Sequence, residues 1–95
     1  MRIVLDEEAL DDLQRIRTWV AKDSPQAADK LIARIFDRIE YLLEPELTYM
    51  GRPGLDAGTH ELVENPHIIV YEVHEERSEI VVLAVLHAAR KRKPK

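Results

Sequence analysis

The run from Ile80 to Leu86, Ile-Val-Val-Leu-Ala-Val-Leu without a polar residue, restricts the possible folds more than any other stretch. It has the length of a strand, and its lack of alternation predicts a central strand buried on both faces. The run before it, His67 to His74, is rich in β-branched and aromatic residues, and Glu75 to Ser78 is a polar link of hairpin length. The two strands should therefore pair antiparallel. Glu64, Asn65 and Pro66 supply turn chemistry ahead of them, which marks His60 to Val63 as a further strand. Together these segments predict a three-stranded meander.

The first half of the chain has a different period. Arg2 to Leu5 reads as a short strand, followed by Asp6 as the N-cap of a helix with Glu7 and Glu8 in its first turn, where the helix dipole favours acids. Leu10, Leu13, Ile16 or Arg17, and Val20 recur at helical spacing, flanked by Ala9 and Trp19, and predict a helix over Glu7 to Ala21. Asp11 and Arg15 stand four apart in the supportive orientation for an ion pair. After Lys22 and Asp23, Ser24 caps a second helix with Pro25 at its first position, where a missing N–H costs nothing. Its broad apolar face of Ala28, Leu31, Ile32, Ile35, Phe36, Ile39, Leu42 and Leu43 runs on to Pro45. Two such helices with so short a link predict an antiparallel hairpin. Glu44 to Ala57, with two prolines and two glycines, reads as an irregular loop.

The element order β-α-α-loop-β-β-β predicts an α+β fold: an N-terminal strand and a two-helix hairpin packed on a small antiparallel sheet. The N-terminal strand would join at an edge or beside the central strand. With 95 residues there is room for one core, assigned here to residues 1–90, followed by a basic tail over residues 91–95. A core of this size leaves a narrow stability margin, so a partner that covers leftover apolar surface would matter.

Composition removes several function classes. There is no cysteine, so thiolate chemistry is excluded and a reducing cytoplasm is the expected compartment. Apolar stretches are too short for a signal-peptide core or a membrane span, so no membrane partner is expected. A net charge of -4 argues against a chain that embraces nucleic acid by itself, and no sequence-specific DNA binding is expected of it. Five positive charges nevertheless crowd the last six residues. That tail reads equally well as a solubilising end or as an arm for a phosphate-bearing or acidic surface.

Few residues suggest catalysis. His60, His67, His74 and His87 form neither an HxH nor an HExxH pattern, so no metal and no cofactor is expected. His87 closes the long apolar strand just before the basic tail, where a general acid or base could project. The adjacent carboxylates Glu7 and Glu8, Asp11 and Asp12, and Glu75 and Glu76 read as solvated charges. Lys30, Arg34 and Arg38 share one side of the second helix, as a solvated face or as a patch for an acidic partner. Arg52 stands between Gly51 and Pro53, where the backbone could present its guanidinium, and Tyr49 and Tyr71 read as packing residues.

The stretches EEALDDLQRIRTWVAKDSPQAADKLIARIFDRIEYL, GRPG, GTHELV, HIIVYEV and VVLAVLHAAR, in this order, resemble the ParE/RelE superfamily of toxins from type II toxin-antitoxin systems, specifically its ParE-like plasmid-stabilisation branch. The resemblance runs from Ile3 to Arg90. It implies two helices packed on an antiparallel sheet and a cognate ParD-like antitoxin that wraps the toxin, covering the helices around Leu13, Arg17, Val20, Arg34 and Arg38. ParE-like members poison DNA gyrase, whereas RelE-like members cleave mRNA in the ribosome with a basic and aromatic constellation on the last strands. Where RelE-like toxins carry an arginine before the Val-Tyr of the penultimate strand, this chain has Ile68 and Ile69. His87 is followed by Ala88 and Ala89, with no terminal tyrosine or histidine. The resemblance therefore implies a gyrase-directed binding module rather than an enzyme, with Arg52, His87, Arg90, Lys91 and Arg92 as target contacts. If the activity were ribonucleolytic, His87 and Arg90 would carry it. The arginine usual in GTRELV is His60 here, a departure from the ParE-like pattern.

Overall fold

The computed structural model describes residues 1–88, and it bears out the expected architecture. Strand β1 (Arg2–Leu5) leads into helix α1 (Glu7–Ala21) and helix α2 (Pro25–Tyr41). A 3-10 turn at Pro45–Leu47 and the two-residue strand β2 (Arg52–Pro53) precede β3 (His60–Glu64), β4 (His67–His74) and β5 (Glu79–His87). The strands form one sheet in the order β1-β5-β4-β3-β2. The helical hairpin lies on one face of it, α1 over β5 and α2 reaching β3.

Three features of the sheet depart from expectation. It is mixed: β3, β4 and β5 are the antiparallel meander, but β1 pairs parallel to β5, with Ile3 opposite Ile80 and Leu5 opposite Val82. The loop after α2 is not wholly irregular, since Arg52 and Pro53 pair with Glu61 and His60 at the far edge. Finally, β5 is an interior strand beside the middle one, and it is not buried on both faces. Ile80, Val82 and Val85 are buried under the helices, while Val81, Leu83, Ala84 and Leu86 are only half-buried. The alternation is hidden in the sequence by a bulge. Tyr71 pairs with Val82 and Val70 with Ala84, so Leu83 is one residue too many and the inward positions step from even to odd numbers.

The core is the interlayer contact. Ala9 and Leu13 of α1, with Leu31, Ile35 and Ile39 of α2, meet Leu62, Ile69, Tyr71, Ile80, Val82 and Val85 of the sheet. Ser24 caps α2 as expected, its hydroxyl accepting from the Ala27 N–H, and Pro25 takes the first helical position. Asp6 occupies the N-cap of α1 with extended backbone but makes no side-chain capping bond. Arg15 does not pair with Asp11; it pairs with Asp12, three residues away. Asp12 in turn is no solvated charge, being 7% exposed. Tyr71 packs at the centre as expected, and its hydroxyl donates to the Thr48 carbonyl while accepting from the Gly51 N–H. Gly51 permits that approach, because a Cβ there would lie 2.9 Å from both the Glu61 carbonyl oxygen and the Tyr71 ring. Tyr49 is half exposed instead of packed, donating to Glu75 across the sheet end.

Candidate partner groove

The geometry of one concavity among the described residues follows from the unequal lengths of β1 and β5. β1 ends where Leu5 lies opposite Val82, but β5 continues to His87. Beyond Val82 the β1 side of β5 therefore has no strand, and its backbone groups must find other partners. α1 supplies one. Asp12 Oδ2 accepts the Val85 N–H at 2.9 Å, while Oδ1 takes the Arg15 guanidinium. The carboxylate thus seals the open edge of β5 and fixes α1 above it.

Between this edge and the two helices runs a groove of about 990 Å³. One wall is α1, with Glu8, Asp11, Asp12, Arg15 and Trp19, and the other is α2, with Leu31 and Arg34. Pro66, His67, Val85 and His87 form the floor. Trp19 is 72% exposed at the rim, with the Lys22 ammonium 5.2 Å from its ring centre. A large aromatic so open, beside a groove of mixed polarity, has the composition of an interaction hot spot.

The floor holds two histidines. His67 and His87 are register partners on β4 and β5, and their rings meet edge to face with centroids 5.5 Å apart. His67 is 4% exposed. Burial, and secondarily the charge of His87, holds its pKa below the ordinary imidazole value.

The residues singled out from the sequence do not fall on one surface. His87 lies at the groove floor, facing the helices. Arg52 is at the opposite edge of the sheet, opposite Glu61, and its Nε donates to the buried Glu61 carboxylate at 3.2 Å. Arg90, Lys91 and Arg92 lie outside the described residues. Of the positions expected to meet an antitoxin, Arg34 lines the groove and Val20 is half-buried along it. Leu13 is turned into the core at 6% exposure, so its surface is already covered by this chain's own strands. Arg17 pairs with Asp29 across the hairpin, and Arg38 pairs with Glu64 of β3 at 3.4 Å. His60, standing where an arginine is usual, stacks on Tyr71 with centroids 5.2 Å apart and takes the edge of Tyr49.

Sequence reasoning passed over Trp19, Asp12 and His67. Asp12 carried a readable signal, since it falls three residues after Ala9 and four before Ile16 and so belongs to the buried stripe of α1. Trp19 carried none beyond its type, because a flanking position on a helix reads equally well as packing or as exposure.

Comparison with known proteins agrees with this architecture. The chain is 37% identical over 82 residues to the Sinorhizobium fredii protein named "Putative toxin Y4kP", covering 84% of this chain and 80% of that protein. In fold it is similar to a chain of the chromosomal ParDE toxin-antitoxin system of P. aeruginosa, with a TM-score of 0.78 and 24% identity over 92% of this chain and 95% of that one. It is also similar to a chain of the RelBE2 toxin-antitoxin complex of Mycobacterium tuberculosis, with a TM-score of 0.64 and 19% identity over 90% and 95% of the two chains. Residues 3–92 match the family described as the ParE toxin of type II toxin-antitoxin systems, parDE, and the chain belongs to that family.

Proposed function

We propose that this chain is a toxin that inhibits DNA gyrase by binding and is neutralised by a ParD-type antitoxin seated in the groove between α1, α2 and the end of β5. The observation that carries the antitoxin reading is the exposed Trp19 at the rim of a groove whose floor is half apolar and half polar. An amphipathic segment laid there would bury the indole and the half-buried Val20 and Ile16 in one stroke. Membership of the ParE family supports gyrase as the target. The penultimate strand supports it as well: Ile68 and Ile69 are buried, so that position offers no cation to a ribosomal RNA backbone. An acidic pI of about 5.5 points the same way, because counterion release rewards basic surfaces.

The test is a supercoiling assay with purified, antitoxin-free chain at stoichiometric amounts over gyrase, scoring both relaxed DNA and trapped cleaved DNA. Inhibition that the antitoxin reverses is the expected result. A folded sample that leaves gyrase untouched and instead cuts transcripts on translating ribosomes would overturn the target assignment in favour of a ribosome-dependent endoribonuclease.

A further inference from the structure

The floor of the groove contains a feature that antitoxin docking does not require. Among the buried side-chain nitrogens and oxygens of the described residues, His67 Nδ1 has no hydrogen-bond partner. A buried imidazole nitrogen in that condition is uncommon and calls for a donor, a water or an ion. The strand pairing brings a second imidazole to it. The Val85 N–H points away from β4, toward Asp12, so two residues later His87 also directs its backbone away from β4. His67 and His87 are consequently a non-hydrogen-bonded cross-strand pair, the class in which opposed side chains stand closest.

We propose that His67 and His87 form a two-imidazole site for a divalent transition-metal ion, zinc(II) by preference of ligand type. Zinc–nitrogen bonds of about 2.0–2.1 Å at a tetrahedral angle put the centroids of two coordinated imidazoles about 5 Å apart. The two rings already stand at 5.5 Å, so rotation about their side-chain torsions brings a nitrogen of each to one ion without moving a strand. Each ring needs only one of its nitrogens for the metal, leaving the other for a supporting hydrogen bond of the usual kind. Imidazole ligands suit zinc, copper and nickel rather than magnesium or calcium. No group of three or more His, Asp or Glu able to hold an ion exists among the described residues. The pair therefore gives an open site, its remaining positions filled by water or by a side chain of whatever lies in the groove. Asp12 is not a third ligand in this arrangement, since both its oxygens are already engaged by Val85 and Arg15. The charged groups lining the groove are Glu8, Asp11, Asp12 and Arg15 from α1, Lys22 at its C-terminal end and Arg34 from α2, three acids against three bases, a balanced set that neither attracts nor repels a dication strongly.

The experiment is isothermal titration of zinc chloride into the tag-free chain. Wild type should bind one ion per chain, with a saturable rise in the thermal unfolding midpoint. His87→Ala should weaken binding about tenfold or more, as loss of a ligand must exceed the effect of losing a supporting group. The half-exposed His60 and His74 provide the control, and their double replacement by glutamine should leave the isotherm unchanged. Because His67 is buried and its replacement could unfold the chain, the second readout is copper(II) electron paramagnetic resonance on wild type, expected to report two bound nitrogens. No binding, binding unaffected by His87→Ala, or a copper signal with a single nitrogen would overturn the proposal.

Discussion

Removing the Asp12 carboxylate tests the account of how the groove is built. Asp12→Ala removes the acceptor of the Val85 N–H, at 2.9 Å, and leaves that amide buried between α1 and β5. A buried donor left without a partner costs about 1–3 kcal/mol. The pair with Arg15 adds little, because the Arg15 side chain is 70% exposed and solvent screens it. Alanine returns about 0.5 kcal/mol through its better helix propensity. The net expectation is a loss of about 0.5–2.5 kcal/mol, or about 2–20 °C in the unfolding midpoint of a domain this small. Asp12→Asn keeps an amide oxygen for Val85 and should cost less than half as much. Arg15→Ala should cost under about 0.5 kcal/mol. Urea unfolding followed by circular dichroism gives the three values, and amide exchange at Val85 locates the effect. If Asp12→Ala lies within about 0.5 kcal/mol of wild type, or if Arg15→Ala costs as much, the carboxylate is not what seals the β5 edge. Unchanged protection of the Val85 amide would refute the same reasoning directly.

Two further expectations rest on other parts of the fold. Tyr71→Phe removes the hydroxyl that joins the Thr48 carbonyl to the Gly51 N–H, and should cost about 1–3 kcal/mol while making the segment between α2 and β2 the first site of limited proteolysis. Glu79 is held below the ordinary carboxylate pKa first by Arg2 and then by Arg77, so the folded state favours its ionised form. Its contribution is present above the unfolded pKa and is lost as pH falls through the lowered folded value, so stability should decline below about pH 4.5. Because its partners Arg2 and Arg77 are exposed, the decline should shrink in high salt and in Arg2→Ala, as pH-dependent unfolding at two ionic strengths will report.

What the sequence makes legible is whatever a local period or a local cap determines. The boundaries of α1, the Ser24–Pro25 start of α2 and the three meander strands all follow from spacing and turn residues within a few positions. What stays hidden depends on distant partners. The parallel pairing of β1 with β5 joins residues such as Ile3 and Ile80, and nothing near Ile3 announces it. The bulge at Leu83 has the same origin. A continuous apolar run is compatible with two buried faces or with a displaced alternation, and only the register against β4 decides between them. The groove combines both effects. Because β1 stops early, β5 acquires an open edge; because that edge needs a partner, an acid on the apolar stripe of α1 becomes structural. The same strand ending then sets His87 beside His67, twenty residues earlier in the chain, within a concavity that neither histidine signals alone. Arg52 illustrates the converse. Its constrained position between Gly51 and Pro53 suggested a presented guanidinium, but the strand it enters gives it Glu61, a buried carboxylate that needs a cation. A local constraint can establish that a side chain is held in place, whereas only the pairing of strands determines what it is held against.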